Sequence, residues 1–228
     1  MTPPKQGTIS GVVFDFDGTL IDSAPDLMFS VNKILKTAGR RAVTLGEVQG
    51  MIGDGMPVLL ERSFRATGDL PEEGALKAYT QRFIENYSGA DAKPDHLYPG
   101  VAETLQSLKQ QGYTLGLCTN KPIAPTLAIL RKLKIERFFS AISGGNSIPG
   151  IRKPDPRHLL AVIDELGLRP DQAVMIGDKE HDINCAKGAK VRSIIVSFGY
   201  ANGPIEDIGA DAIIDHLLET ADAVARLA

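Results

Sequence analysis

Tryptophan is absent from this 228-residue chain, cysteine occurs twice, and aromatic residues make up only 6% of it. Two cysteines cannot frame a small disulfide-held fold. Cys118 and Cys185 also lack the close spacing of a metal-binding pair, so the sequence gives no sign of a zinc site and reads as two buried thiols in a reducing compartment. Charge of one sign is not in excess either: 25 Lys and Arg against 28 Asp and Glu leave a net charge of −3. Without a dense run of Lys or Arg there is no footprint for nucleic acid or an anionic membrane. Apolar runs such as Gly11 to Phe16 are strand-sized, far short of the roughly 20 residues that cross a bilayer. Met1 to Ser10 carries two prolines, one lysine and no apolar stretch, and does not read as a secretory signal. The expectation is a cytoplasmic protein, in which a small anionic substrate would need a locally positive pocket.

What is present is ordinary for a globular protein: 43% apolar and 23% charged residues, with 23 Gly and 14 Pro spread along the chain. The length allows one large domain or a domain with an insert. Ile9 to Phe16, Thr114 to Cys118, Ala141 to Ser143, Ala173 to Gly177, Arg192 to Val196 and Ala212 to Ile214 read as short buried strands, most of them separated by helix-length amphipathic stretches. That alternation predicts an α/β fold, a Rossmann-like three-layer core with a parallel sheet. Between the first strand and Tyr98-Pro99-Gly100 the pattern changes. Asp26 to Ala38, Leu45 to Met51, Met56 to Ala66 and Glu72 to Tyr87 read as helices with no strand between them. Ser23-Ala24-Pro25 and Ala92-Lys93-Pro94-Asp95 punctuate the two ends. The reading is a catalytic core of residues 1–22 and 96–228 with an inserted helical cap of residues 23–95.

Two acidic pairs stand at strand ends. Asp15 and Asp17, two residues apart after the first strand, leave an extended chain from one face. Asp178 and Asp182 follow the strand Ala173 to Gly177, and the spacing predicts Asp178 as a helix N-cap with Asp182 one turn later. Each pair has an ordinary explanation in turn chemistry or capping. In a parallel sheet, however, the carboxyl ends of the strands face one crevice, so the pairs can converge. Carboxylate oxygens with no His or Cys partner suit a hard cation, Mg²⁺ foremost. Thr119 and Asn120 end another strand, and Lys153 precedes Pro154; together they offer donors for phosphate oxygens.

Asp15-Phe16-Asp17-Gly18-Thr19-Leu20, Thr119-Asn120, Lys153-Pro154-Asp155 and Gly177-Asp178-x-x-x-Asp182, in this order, resemble the four motifs of the haloacid-dehalogenase-type phosphatases, and the helical insert is similar to one of that superfamily's caps. Within it, Asp22-Ser23-Ala24-Pro25-Asp26-Leu27, Leu97-Tyr98-Pro99-Gly100 and Thr119-Asn120-Lys121-Pro122 are most similar to the phosphoglycolate phosphatases. The resemblance implies a Mg²⁺-dependent hydrolase that cleaves a small phosphate monoester, foremost 2-phosphoglycolate, through an aspartyl-phosphate. Asp15 would be the nucleophile and Asp17 the proton carrier. Asp15, the backbone carbonyl of Asp17, and Asp178 would bind the metal. Thr119 and Lys153 would hold phosphate oxygens, with Asp182 orienting Lys153. Gly18, Asn120 and the cap loop Gly53-Asp54-Gly55 would meet the substrate. Cap residues Arg62 and Arg65 stand at helical spacing and read as solvated rather than as carboxylate readers.

The chain departs from the family pattern after Gly177-Asp178, where Lys179-Glu180-His181 places bulk and charge beside the expected metal site, and at Lys190, where a glycine is usual. Two alternatives stay open at this point. A phosphosugar mutase, or a phosphatase for another small metabolite, would use the same acid pair. A phospho-accepting signalling or binding protein would share the acidic cluster, but is shorter, lacks the insert, and carries its aspartate on a middle strand, whereas here one acidic pair is expected to open the sheet and the other to close it.

Overall fold

In the computed structural model, which describes residues 8–87 and 96–228, the apolar runs form one parallel sheet. Its strands are β1 (Gly11–Phe14), β2 (Thr114–Cys118), β3 (Ala141–Ser143), β4 (Ala173–Gly177), β5 (Arg192–Val196) and β6 (Ala212–Ile214). In space they run β3-β2-β1-β4-β5-β6. The chain builds outward from β1 on one side, then returns to add β4 on the other, so the strand order reverses between β1 and β4. Doubly wound sheets place their ligand crevice outside the carboxyl ends of the strands at such a reversal. The first strand in chain order is therefore central in the sheet, not at its rim, and β4 is followed by two further strands.

The insert consists of α1 (Ala24–Thr37), α2 (Leu45–Met51), α3 (Met56–Thr67) and α4 (Glu73–Asn86). Leu27, Val31, Ile34 and Leu35 of α1 recur at the helical period and are all buried. They pack with Leu59, Leu60 and Phe64 of α3 and Phe83 of α4. The α2 helix starts at a reciprocal cap: Thr44 Oγ1 accepts from Glu47 N–H at 3.3 Å, and Thr44 N–H donates back to Glu47 Oε2 at 2.8 Å. The two chain crossings beneath the insert lie side by side, with Tyr98 N–H donating to Leu20 O and Asp22 N–H to His96 O. The expected boundary at Ala92 to Asp95 and the opening residues 1–7 lie outside the described residues.

On the sheet, the two faces separate by the strand alternation. Val12 and Phe14 share an apolar cluster with α5 (Val101–Gln110), α6 (Ile123–Lys132) and α9 (Thr220–Leu227), a cluster that continues into the insert. Val13 faces the other way and joins Met175 with α7 (Pro156–Glu165) and α8 (Glu180–Ala189). These are the three layers of a Rossmann-like fold. Lys190, at the end of α8, takes the left-handed conformation with φ of 58°; the turn that glycine would make freely is made by an exposed lysine.

Candidate active site

Four separate stretches of chain send side chains into the crevice between β1 and β4. Asp15 follows β1, and its N–H donates to Ile176 O of β4 at 2.8 Å. Asp15 Oδ1 forms a buried ion pair with Lys153 Nζ at 2.6 Å. The same ammonium donates to Asp182 Oδ1 at 2.6 Å. The other oxygen of Asp182 accepts the N–H groups of Asp178 and Lys179, each at 3.1 Å. Asp178 Oδ2 accepts from Tyr200 N–H at 2.7 Å. Asp178 is not the N-cap of α8; the helix begins at Glu180 after Lys179. The capping role falls instead to Asp182, in the first turn, whose carboxylate reaches back to the free amides at the helix start.

One oxygen each from Asp15, Asp178 and Asp182 lies within 4.8 Å of the others, and all three residues are buried. Burial pushes the Asp15 carboxyl up to about 7; Lys153 opposes the rise and the negative charge of Asp182 adds to it. Asp178 moves well above the usual carboxylate range for the same first reason, burial, with Asp182 and then Asp15 adding to it. Burial works against the Lys153 ammonium, but Asp15 and Asp182 outweigh it and hold its proton above the ordinary lysine range. Carboxylates crowded this closely repel one another unless a cation stands among them. Three buried carboxylates brought together with no His or Cys among them fit a hard divalent ion.

Asp17 turns to a different partner. Lys121 Nζ donates to both of its oxygens, at 2.8 and 3.1 Å, and reaches the hydroxyl of Tyr87 at 3.2 Å. Lys121 is buried, and although burial works against its charge, Asp17 and Tyr87 raise its affinity for the proton above that of a free lysine. Thr119, also buried, accepts from Lys121 N–H at 3.2 Å. Asp17, Lys121 and Thr119 line one pocket with Asp15, Lys153 and Asp178, roofed by Leu27, Ile52, Met56 and Leu59 from the insert.

Of the expected substrate contacts, Asn120, Gly53 and Gly55 line the pocket, whereas Gly18 and Asp54 do not. Gly18 packs against the Asp178 carboxylate and is not among the residues lining the pocket. Asn120 commits both amide hydrogens to protein carbonyls, Gly53 O at 2.8 Å and Lys153 O at 2.9 Å, while its Oδ1 accepts from Lys153 N–H at 2.9 Å. It is a joint between strand end, lysine loop and insert. Gly53 and Gly55 line the pocket, but Asp54 does not; it pairs with Arg62 at 2.6 Å and His181 at 2.8 Å. Arg65 pairs with Glu61 on its own helix. Lys179 directs its ammonium away from the carboxylates, to Ile52 O and Gln49 O of the insert, and Glu180 is exposed.

The model of the family described as haloacid dehalogenase-like hydrolase matches residues 12–196, most of the chain. The chain belongs to that family. As a haloacid dehalogenase-like hydrolase it is 37% identical over 217 residues to a protein of Cereibacter sphaeroides (strain ATCC 17029 / ATH 2.4.9) named phosphoglycolate phosphatase, covering 95% of this chain and 98% of that one. A protein of the same name from Agrobacterium fabrum (strain C58 / ATCC 33970) is 40% identical, with 89% and 87% covered. Among solved structures, one described as a predicted phosphoglycolate phosphatase from Haemophilus somnus 129PT superposes with a TM-score of 0.88 at 32% identity, over 96% of this chain and 99% of that one.

The sequence left three members of this hydrolase's pocket region without a role. Lys121 was visible only as part of the Thr119-Asn120-Lys121-Pro122 run. Tyr87, at the end of α4, carried no signal. Tyr200, whose N–H holds Asp178, also donates its hydroxyl to Asp22 Oδ1 at 2.5 Å and accepts Ala24 N–H at 3.1 Å. It thereby ties the acidic cluster to the start of the insert.

Proposed function

We propose that this hydrolase is a magnesium-dependent phosphatase that converts 2-phosphoglycolate to glycolate and inorganic phosphate. The observation that carries the reading is the Asp15 carboxylate, buried at the head of the central strand, facing Lys153, with Asp178 and Asp182 close behind it. The names of the relatives supply the substrate. Buried Lys153, which lines the pocket beside Asp15, sets a fixed ammonium where a phosphate oxygen would lie. Among the described residues, those of the insert that line the pocket are Leu27, Ile52, Gly53, Gly55, Met56 and Leu59; none carries a charged side chain for a second phosphate, which favours hydrolysis over mutase chemistry.

Asp15 attacks phosphorus in line, forming an aspartyl-phosphate as the bond to the leaving oxygen breaks. Asp17 gives its proton to the departing alkoxide, then takes one from the water that attacks the acyl-phosphate, so phosphate leaves and Asp15 returns to its starting state. Lys153 and Thr119 hold the non-bridging oxygens. Asp182 fixes the Lys153 ammonium from behind, at 2.6 Å, and Lys121 fixes Asp17. Asp15, Asp178 and the backbone carbonyl of Asp17 would hold magnesium, which would supply the positive charge that lets an anionic nucleophile meet an anionic phosphate. Residues 23–95 act as a cap that excludes water from the first step. The two thiols, buried and unpaired, suit a reducing cytoplasm, and we expect a monomer or homodimer.

A panel of small phosphate esters with magnesium, ranked by kcat/KM, tests the reading. One outstanding rate on 2-phosphoglycolate, abolished in a folded Asp15→Asn variant, is the expected result. Retained turnover in that variant, or conversion of a phosphosugar to its positional isomer without release of phosphate, overturns it.

A further inference from the structure

We infer that Lys179 and His181 are positioning residues that hold the loop Gly53–Gly55 of the insert down over the pocket before any substrate arrives. The inference rests on the reading of that pocket as the phosphatase site.

The contacts come from both sides of the loop. The end of α2 leaves carbonyls with no partner inside the helix. Ile52 N–H takes that of Val48, Asn202 donates to Gly50 O at 3.2 Å, and Arg62 donates to Met51 O at 3.1 Å. The Lys179 ammonium takes Ile52 O at 2.6 Å and Gln49 O at 3.1 Å. A cation is favoured at a helix carboxyl end, and here it is delivered by the core rather than by the insert itself. The stem of the same lysine lies under Gly53: a Cβ there, at φ of +130°, would stand 3.2 Å from Lys179 Cδ. Beyond it, His181 Nε2 meets Asp54 Oδ1 at 2.8 Å while Arg62 holds the other oxygen at 2.6 Å. Asp54 is thus divided between a core residue and a residue of the insert. Asn120 closes the set from β2 by donating to Gly53 O.

Lys179 serves two structures at once. Its own N–H is bound by Asp182 Oδ2, inside the acidic cluster, while its side chain grips the insert. Closure of the loop and the geometry of the carboxylates therefore meet in one residue. When the closed arrangement is held by the protein itself, substrate binding need not supply the free energy of closing, and loss of the hold appears in KM rather than in kcat.

Lys179→Met keeps the stem and removes the donors; His181→Ala removes the grip on Asp54; His181→Gln retains a donor. Amide exchange across residues 49–55 in the substrate-free protein is the direct readout. Exchange about tenfold faster in Lys179→Met and in His181→Ala, and near the parent rate in His181→Gln, is the expected pattern, a tenfold change being that of one charge-assisted hydrogen bond. On the best ester of the panel, KM rises by a similar factor with kcat held within about twofold. Unchanged exchange in both Lys179→Met and His181→Ala overturns the inference, as does a fall in kcat at constant KM, which would put Lys179 on the reacting group. Should Lys179→Met not fold, the His181 pair decides alone. The exchange result needs no turnover, so it stands apart from failure of the phosphatase reading.

Discussion

Gly18 and Asp178 are in direct contact: with φ of +85° at Gly18, a Cβ there would stand 2.2 Å from Asp178 Oδ2. The turn after the first acidic pair is thus the floor of the second, and a glycine is needed for space as well as for conformation. Gly18→Ala must displace the Asp178 carboxylate. The expected outcome is a loss of ~1–3 kcal/mol of stability from the added methyl group, and a fall in kcat/KM of about 100-fold from a small shift of a reacting centre. Melting curves and steady-state rates check both. Parent-like activity would show that Asp178 does not need its observed position.

The carboxyl cluster links stability to pH. An aspartate that titrates at 3.8 in the unfolded chain titrates at about 7 as Asp15 in the fold, chiefly because it is buried; Asp178 shifts the same way. Between those values the native state keeps a proton that the unfolded state has released. Stability from this source is complete below the lower value and is lost as pH rises through the higher one. A divalent cation reverses the trend, because its binding expels the protons. The metal-free protein should melt lower at about pH 7.5 than at about pH 5, and saturating magnesium should raise the melting temperature more at the higher pH. Calorimetry in buffers of different ionisation enthalpy should register proton release. An equal rise at both pH values would mean the ion binds elsewhere.

Much of the fold was legible because each strand is a short apolar run closed by turn residues. Thr114–Cys118, Ala173–Gly177 and Arg192–Val196 have the bounds the sequence suggests, whereas the first strand is shorter, Gly11–Phe14 rather than Ile9 to Phe16. The acidic pairs were legible for the same reason, since a residue just beyond a parallel strand has one crevice to face. What a loop side chain meets across the pocket was not. Lys121 finds Asp17 across 104 positions of sequence and Tyr87 across 34, and Tyr200 finds Asp22 across 178. No local period carries such pairings. The N-cap expected at Asp178 failed because a closer competitor, Asp182, reached the helix amides, leaving Asp178 to the crevice.

Asp182 holds three donors: the Lys153 ammonium and the N–H groups of Asp178 and Lys179. Asp182→Ala strips all three in a buried place and should cost ~3–5 kcal/mol, the range for breaking a buried pair. Asp182→Asn keeps an acceptor for the amides and loses only the charge, an expected ~1–3 kcal/mol. Urea unfolding of the two variants measures the difference. If alanine proved no worse than asparagine, the amide bonds to Asp182 would carry no weight in the fold.

Lys121 bears on the chemistry through Asp17. Its ammonium holds both oxygens of that carboxylate, and Tyr87 braces the ammonium at 3.2 Å. Lys121→Met leaves Asp17 without a cation to fix its orientation. If Asp17 delivers a proton to the leaving oxygen, the loss depends on how much that oxygen needs one. Alkyl esters, whose alkoxide is a poor leaving group, should lose ~10²-fold in kcat/KM, within the range for general acid catalysis. A nitrophenyl ester, which departs as a stable anion, should lose several-fold less. Tyr87→Phe removes only the brace and should cost ~1 kcal/mol of stability with rates near the parent. Equal losses on both esters would mean that Lys121 acts on phosphate binding, and not through the proton carried by Asp17.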